Sequence, residues 1–237
     1  MITTSLCDVF IKVGGSILDH NAETAALVPH ITQLAREHRI LILTGGGQAA
    51  KRIKANQRSC GTDFYRCWRA GVLSQEVHAY LLASHSDIFS VVSSLTDIEG
   101  CFAARRIGVF APLGFLVNSL YLVPDWEETT DSIGLHFASS LGARRYVIVS
   151  DVDGIYEMRP GETPRGMPIP ALTADQLARL PSSKLDRAFA AYHRRLSLPT
   201  IIVNGRHPDR VNAAIRGEAT IGTRIDVESK LARQEYA

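Results

Sequence analysis

The first apolar run of the chain is Val9-Phe10-Ile11-Lys12-Val13, and it leads directly into Gly14-Gly15-Ser16. A β-branched run of this length that ends at glycines predicts a buried strand followed by a tight turn. A segment of helical period from about Glu23 to His38 follows, and Ile40 to Thr44 is the next apolar run. This order of strand, helix and strand predicts a parallel sheet with helices packed on it.

The same alternation continues to the end of the chain. It predicts a helix over Asp63 to Ala83, strands at Ile88 to Val92 and Ile107 to Phe110, a helix capped by Thr130 or Asp131 and ending near Gly142, a strand at Tyr146 to Ser150, a surface loop from Met158 to Pro170, helices from near Thr173 and from Lys184 to Arg195, a strand at Thr200 to Val203, a helix started by Pro208 and a strand at Thr223 to Ile225. The fold class is therefore α/β, with three layers (α/β/α) around a mostly parallel sheet. We predict one domain over 1–237, in which a lapse of periodicity near Asn118 to Asp125 separates an N-terminal lobe of about 1–120 from a C-terminal lobe of about 121–237.

Composition indicates a soluble protein with a small-molecule partner. The chain has 237 residues, 46% hydrophobic and 21% charged, and a formal net charge of +2, which is too weak a field to favour nucleic acid. It has no apolar run near the length of a membrane span and no leader pattern at its start, so we expect no membrane association. Four irregularly spaced cysteines predict reduced thiols and a cytoplasmic location.

Two glycine turns follow the first two predicted strands. Lys12-Val13-Gly14-Gly15-Ser16 combines exposed backbone N–H groups with an ammonium and suits an anion such as phosphate, although a glycine pair also makes a plain turn. Thr44-Gly45-Gly46-Gly47 enters the next helix in the same way. Together with Ala50 it also matches a loose dinucleotide fingerprint, with Asp63 as the ribose acid. Such a fingerprint normally follows the first strand, so we expect the two turns to form one anion site instead.

A third motif, Ser150-Asp151-Val152-Asp153-Gly154-Ile155-Tyr156, follows the most apolar strand of the second half. The twelve-residue calcium pattern fails here, which leaves a structural turn or a loop that binds a purine and ribose. The chain has no P-loop motif, no protein-kinase catalytic loop, no HExxH and no cysteine–histidine cluster at zinc spacing.

Taken in order, these motifs resemble the amino-acid kinase superfamily over essentially the whole chain. The resemblance is carried by KVGGS (12–16), TGGG (44–47), TTDSIGLHFASSLGA (129–143), SDVDGIY (150–156), NGRHP (204–208) and GTRI (222–225). It implies the amino-acid kinase fold, ATP as phosphate donor, Mg²⁺ bound mainly by phosphate oxygens, and a homo-oligomer.

The resemblance also implies a role for each matching residue. Lys12 would bind the transferring phosphoryl group and Asp131 would orient the catalytic lysines. The residues implied to hold the nucleotide are Gly14, Gly15, Ser16, Asp151, Asp153, Gly154 and Tyr156; those implied to contact the acceptor and the γ-phosphate are Gly45, Gly46 and Gly47. The stretch Leu180 to Asp186 departs from the family's Gly-Gly-Met-x-x-Lys, so Lys184 either replaces the second phosphate-binding lysine or is a solvated lysine at a helix start.

Within the superfamily, Trp126, Thr130 and the Asn-Gly-x-x-Pro-x-Arg pattern ending at Arg210 look most like the small kinases of methanofuran biosynthesis. Those enzymes phosphorylate (aminomethyl)furanmethanol phosphate to its diphosphate. The resemblance implies that Trp126, with Thr130 beside it, faces the furan ring and that Arg52 faces the acceptor phosphate; a packing role for Trp126 and an exposed Arg52 are the alternatives. Other acceptors, of isopentenyl phosphate or uridylate type, stay open, as does a non-catalytic nucleotide-binding protein similar to the molybdenum storage proteins.

Overall fold

The computed structural model describes residues 5–117, 125–157, 162–163, 165–181 and 183–227. In chain order the elements are β1 (Val9–Val13), α1 (Gly15–Leu18), α2 (Asn21–Thr32), a 3-10 turn (Gln33–Arg36), β2 (Ile40–Thr44), α3 (Gly47–Cys60), α4 (Phe64–Ala83), β3 (Phe89–Val92), α5 (Leu95–Ala103), β4 (Ile107–Phe110), α6 (Leu113–Val117), α7 (Thr130–Ser140), β5 (Arg145–Ser150), β6 (Ala171–Thr173), α8 (Ala174–Arg179), α9 (Phe189–Leu196), β7 (Thr200–Asn204), α10 (Pro208–Arg216) and β8 (Thr223–Asp226).

The eight described strands form one sheet in the order β3-β4-β2-β1-β5-β7-β8-β6. Every neighbouring pair is parallel except β7 and β8, which are antiparallel. The predicted three-layer α/β/α class is therefore confirmed. The chain builds outward from β1 first to one side and then to the other, and such a reversal of strand order opens a crevice beyond the carboxyl ends of the strands.

The buried side chains of β1 alternate between two apolar cores, one on each face of the sheet. Phe10 joins the core that includes α7 and Tyr146, whereas Val9, Ile11 and Val13 join the core that includes α2. Because successive side chains of a strand point to opposite faces, Lys12 shares the face of Phe10. The sequence thus directs the Lys12 ammonium towards the layer that contains α7.

Two helix starts differ from the prediction. The helix expected from Lys184 begins only at Phe189, so Lys184 lies in the preceding loop. The N-cap of α7 is Thr129, whose hydroxyl accepts from the Asp131 N–H at 3.4 Å, rather than Thr130 or Asp131. Residues 118–124 of the predicted lobe boundary, and 158–161 and 164 of the predicted loop, lie outside the described residues, so the division into lobes stays a prediction. No helix in the described part of the chain is both long enough and apolar enough to cross a membrane.

Candidate active site

The two glycine turns touch each other at the carboxyl edge of the sheet. Val13 pairs with Thr44 in the β1–β2 register, so the turns after these strands begin side by side. The Gly14 N–H donates to Val149 O at 2.8 Å and the Gly45 N–H donates to Val13 O at 2.8 Å. A Cβ on Gly15 would overlap the backbone of Gly47, and one on Gly45 would lie 2.5 Å from the Gly15 nitrogen. Only glycine permits this backbone approach, and the glycines of both turns line one cavity.

Two side chains that the sequence did not single out hold the second turn in place. The Nδ1 atom of His78 lies 2.5 Å from Gly45 O, and because a carbonyl only accepts, Nδ1 is the donor. The Asp19 carboxylate accepts from the Gln48 N–H at 3.0 Å and lies 3.6 Å from His78 Nε2. Gly47 has φ +56°, and a side chain there would meet both Asp19 and His78. The turn is therefore fixed by packing from α1 and α4.

Lys12 and Asp131 form a buried ion pair beneath the turns. The Lys12 Nζ lies 2.7 Å from Asp131 Oδ1, and the two side chains are 12% and 9% exposed. Lys12 ends β1 on the face that α7 covers, and Asp131 occupies the first turn of α7. The Tyr146 hydroxyl, on β5, donates to Asp131 O at 3.1 Å and ties this turn to the sheet. The arrangement presents a positive charge of fixed orientation to the cavity.

Lys184 forms a second ion pair on the same cavity. Its Nζ lies 3.0 Å from Asp151 Oδ1, and the lysine side chain is about half exposed. Burial alone would raise the pKa of Asp151, but the hydrogen bond and charge of Lys184 outweigh it and hold that pKa below its usual value. Of the two roles left open for Lys184, the helix-start lysine does not fit, because the loop carries Lys184 to the cavity wall.

Asp186 connects the Lys184 loop to the start of α7. Its carboxylate accepts from the Thr129 N–H at 2.9 Å and the Ser132 N–H at 3.1 Å, as well as from both hydroxyls of these residues. A carboxylate at this position satisfies the free N–H groups of the helix and interacts favourably with its dipole. Burial, and after it the nearby Asp131 charge, raises the pKa of Asp186, although the hydrogen bond from Ser132 opposes the shift. In the sequence Asp186 stands out only as the residue two positions after Lys184.

The loop after β5 is held by contacts with β7, α10 and β8. Asp153 accepts from Arg210 at 2.6 Å and from Asn204 Nδ2 at 2.9 Å, and these partners lower its pKa, the amide hydrogen bond most. Gly154 has φ +156°, and a Cβ on it would lie 2.5 Å from Thr223 Oγ1. Burial, followed by the proximity of Asp153, raises the pKa of Tyr156. These three residues do not line the polar cavity described next, whereas Asp151 does.

Two cavities that share a wall occupy the crevice. The polar cavity, of about 280 Å³, is lined by Lys12, Gly14, Gly15, Ser16, Gly45, Gly46, Gly47, Ala50, Lys51, Thr129, Thr130, Asp131, Ile148, Ser150, Asp151, Lys184, Leu185 and Ile202. The aromatic cavity, of about 240 Å³, is lined by Gly46, Ala50, Lys51, Lys54, Trp68, Gly71, Val72, Gln75, Asp125, Trp126, Glu128, Thr129, Thr130 and Ile133. A phosphate-bearing end and a flat apolar end of one ligand suit these two compartments.

The structure brings Lys51 rather than Arg52 to the cavities. Gly47, Ala50, Lys51 and Lys54 recur at helical spacing and line one or both cavities, whereas Arg52 is rotated out of this face of α3 and is exposed. Trp126 and Thr130 do line the aromatic cavity as predicted. The Trp126 ring lies against Gly71, where an added Cβ would be 3.3 Å away, and its Nε1 donates to Gln57 Oε1 at 3.1 Å.

Comparison with known proteins identifies relatives of the whole chain. The sequence model described as the amino acid kinase family matches residues 9–204. The (5-(aminomethyl)furan-3-yl)methyl phosphate kinase of Methanocaldococcus jannaschii is 25% identical over 91% of this chain and 96% of its own length. The uridylate kinase of Methanococcoides burtonii is 26% identical over 92% of this chain and 98% of its own length.

The fold also matches a solved structure. The uridylate kinase of Archaeoglobus fulgidus superimposes with a TM-score of 0.74 at 23% identity, over 92% of this chain and 99% of that chain. At this level of identity the likeness concerns the fold alone.

Proposed function

Because this chain belongs to the amino acid kinase family and is thus a phosphotransferase for which ATP is the implied donor, we propose that it transfers the γ-phosphate of ATP to the phosphate group of a small monophosphate. The observation that carries the proposal is the shared wall between the polar and aromatic cavities. Lys12 lies in the first cavity, and Lys51 faces both. By their names, both curated relatives act on a phosphate ester.

The chemistry needs positioning and positive charge more than covalent catalysis. An oxygen of the acceptor phosphate attacks the γ-phosphorus, a new P–O bond forms, and the bond to the β–γ bridging oxygen breaks, which yields a diphosphate and ADP. Lys12 stabilises charge on the transferring group, and the N–H groups of the two glycine turns hold the phosphates. Lys184 supplies the second positive charge on the donor side. Mg²⁺ would be held mainly by the phosphates of ATP, with Asp151 of the polar cavity as its protein carboxylate, and it would neutralise charge on the transferring group.

The preferred acceptor in this proposal is (5-(aminomethyl)furan-3-yl)methyl phosphate or a close analogue. Trp68 and Trp126 give the aromatic cavity two indole walls, which suit a flat heteroaromatic ring. Lys51, on the wall that both cavities share, binds the acceptor phosphate in place of the predicted Arg52. Uridylate is the second candidate, because uridylate kinases are similarly related over the whole chain.

A panel assay tests the proposal. Purified protein with ATP and Mg²⁺ is offered the furan phosphate, UMP and isopentenyl phosphate, and ADP release is followed for each. We expect the highest kcat/KM with the furan phosphate. A higher kcat/KM with UMP or isopentenyl phosphate would make that compound the preferred acceptor instead. ATP binding without acceptor-dependent ADP release would favour the non-catalytic alternative.

The Lys12→Ala variant tests the site itself. Loss of the ammonium is expected to lower kcat by about 100- to 1,000-fold, because the transferring phosphate loses its fixed positive partner. The substitution also leaves Asp131 buried without its partner, so unfolding is measured in parallel, and Lys12→Met/Asp131→Asn serves as the variant in which both charges are absent. Unchanged turnover in a folded Lys12→Ala protein would remove Lys12 from the mechanism.

A further inference from the structure

Gln75 is a buried polar residue on the wall of the aromatic cavity. Trp68, Gly71, Val72 and Gln75 fall on one face of α4 and all line this cavity. The backbone carbonyl of Gln75 accepts from the Thr44 hydroxyl at 2.6 Å, which fixes this turn of α4 against the end of β2. The residue is only 8% exposed.

The side-chain oxygen of Gln75 has no hydrogen-bond partner among the described residues. Oε1 is buried and unpaired. A buried acceptor without a donor is costly, and native proteins normally satisfy such a group with protein, water or ligand. The nearby indole N–H of Trp126 is already donated to Gln57, so it does not fill this role. Because Gln75 lines the cavity, a donor on the bound acceptor molecule is the natural partner.

The charges around the aromatic cavity indicate what kind of donor fits. Asp125 and Glu128 contribute carboxylates to its lining. Glu128 Oε1 accepts from the Tyr192 hydroxyl at 2.7 Å, and burial, with this hydrogen bond, raises the pKa of Tyr192 to about 12, so the hydroxyl remains a donor near neutral pH. The Lys54 ammonium donates to Trp126 O at 2.6 Å and is engaged there. Lys51 also lines this cavity, but it lies on the wall shared with the polar cavity, where the acceptor phosphate is proposed to bind, whereas Asp125 and Glu128 line the aromatic cavity alone. Away from the phosphate, these two carboxylates and the unpaired amide oxygen suit a cationic donor.

From these contacts we propose that Gln75 determines acceptor specificity: its Oε1 accepts a hydrogen bond from a cationic amine on the end of the acceptor away from the phosphate, in the field of Glu128 and Asp125. The proposal rests on the proposed function and adds to it the group that selects the substrate. A glutamine suits the task because its oxygen pairs with a cation, while an uncharged amide costs less to bury than a carboxylate when no ligand is bound.

The test compares two probes that differ only in charge. One is (5-(aminomethyl)furan-3-yl)methyl phosphate, and the other is (5-ethylfuran-3-yl)methyl phosphate, in which a methyl group replaces the ammonium. For the wild type we expect kcat/KM to favour the amine by about 10- to 100-fold, the usual value of a hydrogen bond to a charged group. Gln75→Leu should reduce this preference at least about 5-fold, because the amine loses its hydrogen-bond acceptor whereas the ethyl group has no such bond to lose.

Matched variants separate specificity from folding. Gln33→Leu makes the same change at an exposed position on the 3-10 turn and should keep the wild-type preference. Gln75→Asn retains the amide but shortens it by one methylene, and it should lose most of the preference even if Gln75→Leu folds poorly. An unchanged preference in Gln75→Leu or Gln75→Asn would overturn the role of Gln75 while leaving the proposed function intact. Failure of the wild type to use the amine probe would overturn the preferred acceptor and this inference together, while acceptor-dependent ADP release with UMP would leave the proposed phosphoryl transfer intact.

Discussion

Three lysines line the polar cavity, and two of them are paired with an aspartate. Lys12 is held by Asp131 and Lys184 by Asp151, while Lys51 stands on the wall shared with the aromatic cavity. The two pairs differ in burial: Lys12 is almost enclosed, whereas Lys184 is half exposed on a loop. A half-exposed lysine contributes little to stability, so its removal can be used to isolate a catalytic role.

We expect Lys184→Met to lower kcat by about 100-fold while the melting temperature stays close to that of the wild type. The reason is that the variant removes positive charge from the donor phosphates but breaks only a half-exposed ion pair. Steady-state kinetics with ATP as the varied substrate, together with a thermal melt, measure both effects.

Arg187→Met is the control for Lys184→Met. It removes a positive charge three residues further on, at an exposed position that does not line the polar cavity. If both variants lowered kcat equally, Lys184 would be acting through the general charge of the loop and not as a phosphate ligand.

At the level of single residues, the sequence predicted those that end a strand or follow a glycine turn. Lys12 and Asp131 form a pair because one ends β1 and the other begins the helix on the same face. Lys51 was missed because the choice between Lys51 and Arg52 depends on the rotation of α3 about its axis. The sequence does not indicate this rotation, since α3 has no buried residues to mark its inner face. Gln75 was missed because an orphaned oxygen is visible only after its neighbours are placed.

At the scale of elements, the packing of α7 on β5 determines where Asp131 lies. Gly134 is one turn beyond Asp131, and a Cβ on it would overlap the Tyr146 hydroxyl. That same hydroxyl donates to Asp131 O. The close approach of α7 to β5 therefore determines the position of Asp131 relative to Lys12.

Gly134→Ala is expected to destabilise the protein by about 1 to 3 kcal/mol and to lower kcat about 10-fold, because the added methyl group displaces α7 from Tyr146. Urea unfolding and steady-state rates measure the two effects. Gly100→Ala is a matched control in α5, since a Cβ there meets nothing within 4 Å. It should stabilise by about 0.5 to 1 kcal/mol through helix propensity and leave kcat unchanged. A neutral Gly134→Ala would show that α7 tolerates displacement.

The order and type of most elements followed from periodicity, and β2 was predicted to the residue. The short strand β6 was missed because three residues are too few to show a period of two, and its pairing with β8 is set by tertiary contacts. The start of α9 was placed early because Lys184 to Ala188 have helical composition but are drawn towards α7 by Asp186. Long-range hydrogen bonds of this kind leave no local signal.

At the scale of the whole molecule, α4 has an apolar outer face. Leu73, Val77, Tyr80 and Leu81 recur at helical spacing and are between 46% and 63% exposed. A contiguous apolar stripe on a helix commonly marks a contact between proteins, and two copies of one stripe can pack across a two-fold axis. We propose that this face forms the homo-oligomer expected from the family resemblance.

Val77→Asp should therefore reduce the solution mass to that of one 26.0 kDa chain. The added carboxylate places unpaired charge in the centre of the apolar contact. Light scattering after size-exclusion chromatography gives the mass for the variant and for Met167→Asp, a control on the exposed Met167 of the loop before β6. A wild type that is already monomeric, or a variant that keeps the wild-type mass, would exclude the α4 face as the interface.

The backbone contact between the two glycine turns also limits how this protein can diversify. Since a side chain at Gly15 or Gly45 would collide with the backbone of the opposite turn, neither glycine can be replaced without displacing a turn. Trp68, Val72 and Gln75 of α4 line the aromatic cavity, and no backbone contact of this kind restricts them. During evolution, substitutions in α4 can therefore change which acceptor is preferred, while the residues that carry out phosphoryl transfer stay the same.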